Sequence, residues 1–157
     1  MNTYYLKCDM GVVQIDWMDE LIYGIGLPKK MKAKKSIPIS AALKDTVKNL
    51  EKLFDGKDTA FDFDLLHFEK TGTFTHNVYK TVFKIPAGKT LSYKEVAKKS
   101  GNEKASRAVG SAMAKNPFPL IVPCHRVLAA GGKAGGFDGG IPMKRDLLKL
   151  ENTDVAF

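Results

Sequence analysis

Short runs of alternating apolar and polar residues fill the first part of the chain. Aromatic and β-branched residues dominate three segments, TYYLKCD, GVVQIDW and ELIYGIGL, which are separated by Met10-Gly11 and Met18-Asp19. Alternation of this kind is typical of strands, and the two dipeptides suit tight turns. The pattern predicts an antiparallel meander over the first 27 residues.

The spacing of the apolar residues then changes to three or four. In ISAALKDTVKNLEKLF they lie on one face of a predicted helix, which Asp55-Gly56 ends. The lysine-rich segment PKKMKAKKSIP before it contains two prolines, so we expect an exposed loop there. A charge run of this kind is more often solvated than bound to nucleic acid. FDFDLL, which follows the helix, alternates again and predicts a short edge strand.

Helical periodicity governs the second half of the chain. The apolar residues of FTHNVYKTVFKI lie at helical spacing, and Pro86 breaks that pattern. A further helix is predicted from a capping box, in which Ser92 is followed three residues later by Glu95. A last helix is predicted from about Met143 to Glu151.

The segment EKASRAVGSAMAKN completes a pair of short helices around the glycine turn Gly101-Asn102, which makes a helix-turn-helix candidate. Between Ala105 and Ala114 its side chains are nearly all small, and Arg107 is the one long polar side chain among them. A glycine inside a helix costs ~1 kcal/mol relative to alanine, so Gly110 indicates that something comes close. Tight packing against another helix is one explanation. The other is contact with a DNA groove, with Arg107 reaching into the duplex and little readout of base edges.

Composition and charge narrow the class of protein. The hydrophobic and charged fractions, 44% and 27% of 157 residues, are ordinary for a soluble globular protein. Residues 1–70 carry 11 lysines and 11 acidic residues, whereas residues 71–157 carry 14 basic and 6 acidic residues and hold the whole net charge of +8. A polyanionic partner of that half and a solvated lysine surface are equally good explanations. The change in charge balance predicts two domains, residues 1–70 and 71–157.

Several other classes are excluded or disfavoured. The N-terminal residues show no signal-peptide pattern, and no apolar run is long enough to span a membrane. Two cysteines are too few for a disulfide framework, so an intracellular setting is expected. The cysteines and the three histidines lack the spacing of a zinc site, and the sequence contains no P-loop.

The candidate chemistry lies in Pro123-Cys124-His125-Arg126. A cysteine reacts as the thiolate and needs a nearby base or positive charge. A water-bridged proton path from Cys124 through His125 to Glu151 would meet that need. From the tetrapeptide alone, an inert buried thiol is about as good an explanation. The six glycines between Gly131 and Gly140 predict a pocket wall or lid beside the cysteine.

Several motifs in one order resemble a known family. They are Ser92-Tyr93 with Ala97, Gly101-Asn102, Arg107-Ala108-Val109-Gly110, Asn116-Pro117 with Pro119, Pro123-Cys124-His125-Arg126-Val127, Gly139-Gly140, and Lys144 with Leu147-Leu148 and Glu151. Over roughly residues 74–151 they resemble the O6-alkylguanine-DNA alkyltransferases, also called methylated-DNA–protein-cysteine methyltransferases. The implied fold is α+β, with a small β-rich, ribonuclease H-like N-terminal domain and a mostly helical C-terminal domain that contains the helix-turn-helix.

The resemblance implies a suicidal DNA repair protein. One alkyl group would move irreversibly from the O6 oxygen of guanine in duplex DNA to Cys124, with alkylated thymine as a further candidate substrate. Each molecule would act once, without cofactor or metal. The implied partner is the minor groove of double-stranded DNA, bound by a monomer with weak sequence preference and no membrane association. The implied location is the cytoplasm, at the nucleoid, in a prokaryote and the nucleus in a eukaryote.

The resemblance also implies roles for individual residues. His125, a bound water and Glu151 would activate Cys124, and Tyr93 would donate its proton to the departing guanine. The catalytic set is completed by Asn116, which would brace the active-site turn, and by Lys144 close to it.

On the DNA side, Arg107 would fill the gap left by the flipped nucleotide. The other implied DNA contacts are Ala105, Ser106, Ala108, Gly110, Ser111 and Tyr93. The implied base pocket is lined by Met113, Pro119, Val127, Phe137 and Asp138.

Two positions depart from the family pattern. Phe137 stands where many members have tyrosine, and Asp138 where a small hydroxyl residue is common. An acid beside the pocket is expected to change lid position or alkyl preference.

Two rival functions are a non-catalytic helix-turn-helix damage sensor or regulator, in which Cys124 would be incidental, and a thiol hydrolase.

Overall fold

The computed structural model describes residues 1–157 and is an α+β fold with two small sheets and five α-helices. The chain divides into two compact units. The first consists of Met1–Glu69 with Pro117–Ile121, and the second of Lys70–Asn116 with Val122–Phe157. The domain boundary predicted from the sequence, between residues 70 and 71, differs from this division at the segment 117–121.

An antiparallel meander opens the first unit, as the alternating pattern predicts. Strands β1 (Asn2–Cys8), β2 (Gly11–Met18) and β3 (Leu21–Ile25) pair in the order β1-β2-β3. Gly11, at the first turn, has φ +131°, and a Cβ there would lie 2.5 Å from the carbonyl oxygen of Lys29. Only glycine therefore allows the two backbone segments to approach so closely. The buried residues of the three strands are Leu6, Val12, Val13, Ile15, Trp17, Ile22 and Ile25.

Helix α1 (Lys44–Phe54) buries its apolar face within the first unit. The predicted helix starts later than its apolar pattern, because Ala41–Leu43 forms a 3-10 turn instead. It ends as predicted, with Gly56 at φ +68° just beyond it. Its buried residues are Thr46, Val47, Leu50, Leu53 and Phe54.

The prediction of an edge strand in FDFDLL is wrong. Residues Phe63–Leu65 form a 3-10 turn, and the Asp62 side chain accepts a hydrogen bond from the Asp64 N–H at 2.9 Å. Aspartate side chains that bond nearby backbone in this way favour turns over strands. Only an isolated bridge between Leu66 and Ile22 remains of the predicted pairing.

The second unit is mostly helical. Its helices are Thr73–Phe83 (α2), Tyr93–Lys99 (α3), Ser106–Ala114 (α4) and Ile141–Leu150 (α5). The predicted capping box is confirmed: the Ser92 hydroxyl accepts from the Glu95 N–H at 3.1 Å, and Glu95 Oε2 accepts from the Ser92 N–H at 2.8 Å. None of the helices is long and apolar enough to cross a membrane.

Helix α4 begins later than the residue pattern predicts. The Asn102 side chain accepts a hydrogen bond from the Lys104 N–H, and its carbonyl accepts one from the Ala105 N–H. These bonds hold residues 102–105 in a turn, so the helix starts at Ser106. Gly101, at φ +108°, ends the preceding helix.

A two-stranded parallel sheet carries no signal in the sequence. Strand β4 (Leu91–Ser92) pairs with β5 (Val127–Leu128), and each strand has only two residues. A pattern of alternation needs a longer run to be recognised. The pairing matters because it joins the start of α3 to the residues that directly follow the Cys124 turn.

Loss of the capping box should weaken the second unit. We expect Ser92→Ala to lower the free energy of unfolding by about 1 kcal/mol, since the Glu95 N–H loses its acceptor. Chemical denaturation followed by circular dichroism measures this. Ser111→Ala, at an exposed position inside α4, is the control and should be neutral. Equal stabilities for Ser92→Ala and the wild type would contradict the prediction.

Candidate active site

Cys124 opens a 3-10 turn, Cys124–Arg126, that leads into β5, and it is 8% exposed. Its N–H donates to the Val122 carbonyl at 2.8 Å. Asn116 Nδ2 donates to the same carbonyl, also at 2.8 Å. The amide of Asn116 therefore ties the residues that follow α4 to the turn that presents the thiol.

Buried surroundings keep this thiol protonated at rest. Burial raises the pKa of Cys124, whereas a hydrogen bond from the Asn116 side chain and the positive charge of Lys144 lower it. The negative charge of Asp138 acts in the same direction as burial. The site thus combines a desolvated thiol with groups that stabilise a thiolate once it forms.

His125 is 0% exposed, and its Nε2 lies 2.8 Å from Oε1 of Glu151. Burial alone would raise the pKa of Glu151, but hydrogen bonds from His125 and Arg126 and the positive charge of Arg126 outweigh it and lower the pKa to about 2. The carboxylate is therefore an acceptor only, and His125 donates its Nε2–H.

The tautomer of His125 follows from that bond. Burial lowers the pKa of His125, against the opposing effect of Glu151, so the imidazole is neutral. With its one proton on Nε2, the other ring nitrogen carries a lone pair. Nδ1 is buried and has no hydrogen-bond partner within the protein. It is thus a base without an internal proton donor, on the residue next to Cys124.

Arg126 is a part of the site for which the residue pattern assigned no role. The side chain is 7% exposed and donates to both carboxylate oxygens of Glu151, from Nε at 2.9 Å and from Nη2 at 2.6 Å. Its Nη1 donates to the Ile85 carbonyl at 2.6 Å. The sequence indicated Arg126 only by its position after His125 in the tetrapeptide. The folded structure is needed to show that its partner is the carboxylate of Glu151.

Lys144 is fully buried in α5 and connects three segments. Its Nζ donates to the Val127 carbonyl at 2.7 Å and to the Ala134 carbonyl at 2.5 Å. Burial lowers the pKa of Lys144 to about 8, and a thiolate on Cys124 would oppose that shift. The lysine thus fixes the glycine-rich loop to α5 and β5 while placing a positive charge near the thiol.

The glycine-rich loop lies against Tyr93. A Cβ at Gly135, which has φ +68°, would lie 2.7 Å from the tyrosine oxygen, so only glycine fits there. Burial raises the pKa of Tyr93, a hydrogen bond with the Gly136 backbone lowers it, and a thiolate on Cys124 would raise it further. The phenol is therefore a protonated donor close to the thiol.

The two residues that depart from the family pattern lie in the same loop. The Phe137 ring is 5.9 Å from Lys144 Nζ, and Asp138 is exposed. The Phe137 carbonyl accepts from the Gly140 N–H at 3.0 Å, which closes a turn with Asp138 at its corner.

Tyr79 was not predicted as a site residue, because its position in α2 is typical of a core residue. Its hydroxyl donates to the Ala112 carbonyl of α4 at 3.0 Å. Burial raises the pKa of Tyr79, and a thiolate on Cys124 would raise it further. A second buried phenol thus lies near the thiol and links α2 to the helix that carries Arg107.

Helix α4 shows an open surface of small residues. Arg107, Ala108 and Ser111 are exposed, and Ala105, Ser106 and Gly110 are half-buried. No heavy atom lies within 4 Å of where a Cβ of Gly110 would be. Packing against another helix of this chain therefore does not explain the glycine, and the surface is free to receive an external partner.

The remaining predicted pocket residues are all buried. Met113 lies on the inner side of α4, and Val127 is in β5. Pro119 belongs to the segment Pro117–Ile121 of the first unit. No group of His, Cys, Asp and Glu side chains could hold a metal ion.

A buried cysteine beside a neutral imidazole, a paired carboxylate and protonated phenols defines a protein with a nucleophilic thiol. The family model described as "6-O-methylguanine DNA methyltransferase, DNA binding domain" matches residues 73–153, which include all of these groups. The chain belongs to the methylated-DNA–protein-cysteine methyltransferase family. The family predicted from the sequence motifs is thereby confirmed.

Relatives and solved structures agree over most of the chain. A methylated-DNA–protein-cysteine methyltransferase from Methanothermobacter thermautotrophicus is 36% identical over 94% of this chain and 81% of its own length. The crystal structure of Mycobacterium tuberculosis OGT in complex with DNA superposes with a TM-score of 0.82 at 34% identity, over 97% of this chain and 93% of that one. O6-methylguanine-DNA methyltransferase from Pyrococcus kodakaraensis gives a TM-score of 0.71 at 25% identity, over 96% and 98%.

Protonation of Glu151 should make the protein acid-labile. The pKa of Glu151 in the folded protein, about 2, lies below the ordinary 4.5. The ionised carboxylate therefore contributes to the free energy of unfolding above pH 4.5, and this contribution is lost as the pH falls towards 2. We expect Glu151→Gln to be less stable than the wild type at pH 6 and the gap to narrow by about 3 kcal/mol towards pH 2. Urea denaturation across this pH range measures the gap.

Glu103→Gln, which removes an exposed carboxylate, is the matched control and should follow the wild-type curve. A stability gap for Glu151→Gln that stays constant with pH would show that the carboxylate is not held ionised by its neighbours.

Proposed function

We propose that this protein repairs alkylated duplex DNA by moving one alkyl group from the O6 oxygen of guanine to Cys124. The observation that carries the proposal is the buried thiol next to a neutral His125, whose Nε2–H is held by Glu151. This set lies inside the region that matches the family model. Relatives that are 36% and 41% identical are named for the same transfer.

The proton balance follows from the tautomer of His125. Cys124 gives its proton to Nδ1 through a bridging water, as the unpartnered lone pair of that atom allows. The thiolate then attacks the alkyl carbon, a C–S bond forms, and the bond from carbon to O6 breaks. Tyr93 gives its hydroxyl proton to the departing guanine. The thioether has no easy route back to the thiol, so each molecule reacts once.

Two further side chains serve the thiolate. Asn116 braces the turn before Cys124 and donates a hydrogen bond to its sulfur. Lys144 supplies a positive charge from within the core and holds the loop at Ala134. Met113, Val127, Phe137 and Asp138 are proposed to line the base pocket, and an acid at its mouth bears on which alkyl groups are accepted.

The DNA surface is proposed to be α4, with α3 and α4 acting as a helix-turn-helix. The exposed small residues Ala108 and Ser111 let the helix approach the minor groove, and the open space at Gly110 supports such an approach. Arg107 is exposed and long enough to take the place of a flipped nucleotide. We propose that the protein binds DNA as a monomer. Contacts that are mostly to phosphates would give it weak sequence preference and strong salt dependence.

The N-terminal meander with α1 fits the proposed ribonuclease H-like fold of the first unit. Both units then serve one reaction, although the reacting groups all lie in the second. Alkylated thymine remains a further proposed substrate.

Reaction with free benzylguanine should stop after one equivalent. Intact-mass measurement is expected to show a single benzyl group per wild-type molecule and none on Cys124→Ala. Cys8→Ala, which removes the other thiol, is the matched control and should react fully. A wild-type protein that gains no mass would be a binder without chemistry, and turnover beyond one equivalent would indicate a hydrolase.

Arg107→Ala should separate flipping from chemistry. We expect transfer from methylated duplex DNA to slow by roughly tenfold to a hundredfold, because holding a base out of the stack is worth a few kcal/mol. Reaction with free benzylguanine should keep its rate, since no base is flipped. Lys149→Ala, an exposed cation of α5, is the charge-matched control. Equal losses on both substrates would remove the flipping role of Arg107.

A further inference from the structure

Five lysines of the first unit are concentrated between residues 29 and 35. They are Lys29, Lys30, Lys32, Lys34 and Lys35, which we call the lysine segment. No acidic residue occurs between Glu20 and Asp45, although the first 70 residues as a whole carry equal numbers of lysines and acids. The near-neutral charge of this unit therefore conceals one strongly positive stretch.

The lysine segment is solvent-exposed and has no countercharge. All five side chains are exposed, and none forms an ion pair. Asp16, the one carboxylate of the neighbouring strand β2, accepts hydrogen bonds from Thr3 at 2.8 Å and from Gln14 at 3.0 Å. Like charges held within seven residues repel one another, and no ion pair offsets that repulsion.

Backbone contacts hold both ends of this exposed segment. At its start, Lys29 and Val12 of β2 exchange two backbone hydrogen bonds, of 2.9 and 3.0 Å, beside the close approach at Gly11. Just after its end, the Ser36 hydroxyl accepts from the Tyr5 N–H at 2.9 Å. The Ile37 N–H then donates to the Thr3 carbonyl at 3.0 Å.

These anchors distinguish the segment from a free tail. A chain fixed at both ends loses less conformational freedom when it binds than a free one does. Seven residues span at most ~25 Å, and duplex DNA carries one charge per ~1.7 Å of its axis. The segment is therefore long enough to face several phosphates at once.

We propose that the lysine segment is a second DNA-binding surface, which contacts the phosphate backbone without reading sequence. It lies outside residues 73–153, the region that matches the family model. The proposal rests on the proposed function, because duplex DNA is the polyanion that the reaction brings to the protein. Its role is to strengthen the hold on undamaged and damaged duplexes alike, not to take part in the transfer.

The test compares two variants with the same loss of charge. In the first, Lys30, Lys32, Lys34 and Lys35 are replaced by glutamine. In the control, the exposed lysines in and just after α1 are replaced by glutamine, namely Lys44, Lys48, Lys52 and Lys57. Fluorescence anisotropy with a short undamaged duplex gives the dissociation constant at several salt concentrations.

For the segment variant we expect roughly tenfold weaker binding near physiological salt and a slope of log K against log salt that is smaller by roughly 2 to 4. The α1 control should change binding less than twofold. Arginine at the same four positions should restore wild-type binding, because the charge is kept, and circular dichroism checks that each variant folds. An unchanged salt slope, or equal losses in segment and control variants, would overturn the proposal.

Labelling of Cys124 by free benzylguanine separates this proposal from the proposed function. All variants should react like the wild type, since the segment takes no part in the chemistry. If the wild type bound DNA but was never labelled, the proposed function would fail while the salt-slope comparison still decided the role of the segment. If the segment variant bound DNA normally, an acidic protein would be the better partner and the proposal would be wrong.

Discussion

One buried carboxylate organises the site. Glu151 is shared by His125 and Arg126, and each contact depends on the other. Without the arginine, the buried carboxylate would either favour a protonated, positively charged imidazole or become protonated itself. With the arginine in place, the carboxylate is charged, the imidazole is neutral, and the free lone pair of His125 belongs to Nδ1. The chemistry proposed for Cys124 thus depends on an ion pair that does not contact the thiol.

The second buried charge, that of Lys144, has a structural role and an electrostatic role. Lys144 holds the glycine-rich loop through the Ala134 carbonyl and holds β5 through the Val127 carbonyl. Both acceptors are neutral, so the charge of the lysine is not cancelled locally and lowers the pKa of Cys124. The glycines of the loop serve close packing rather than mobility at one position at least, since Tyr93 occupies the space that a side chain of residue 135 would need.

The two surfaces proposed to bind DNA differ in kind. The exposed surface of helix α4 carries small side chains, so it suits a close approach to a groove, and Arg107 is the one long side chain on that surface. The lysine segment has the opposite character, because it carries many charges and has no surface of small residues. A bare surface with one arginine is suited to acting on a single nucleotide, whereas repeated charges are suited to holding the duplex.

Much of this protein could be predicted from its residues alone. The meander, the capping box at Ser92 and the helices of the second half were predicted correctly because alternation, capping and periodicity are local properties. FDFDLL was predicted wrongly because its local pattern fits both a strand and an aspartate-capped turn. The two-residue strands β4 and β5 were missed because pairing between distant residues leaves no periodic signal.

The sequence by itself determined the reactive residue types and the family, since the motifs around Cys124 occur in one order. Only the tertiary structure decided which charges meet. Arg126 is adjacent to His125 in the chain, yet its partner Glu151 lies 25 residues away. Likewise, only the packing showed that Gly110 faces open space and that Tyr79 lies near the thiol. Proton positions depend on burial and on contacts between distant residues, and those exist only in the folded chain.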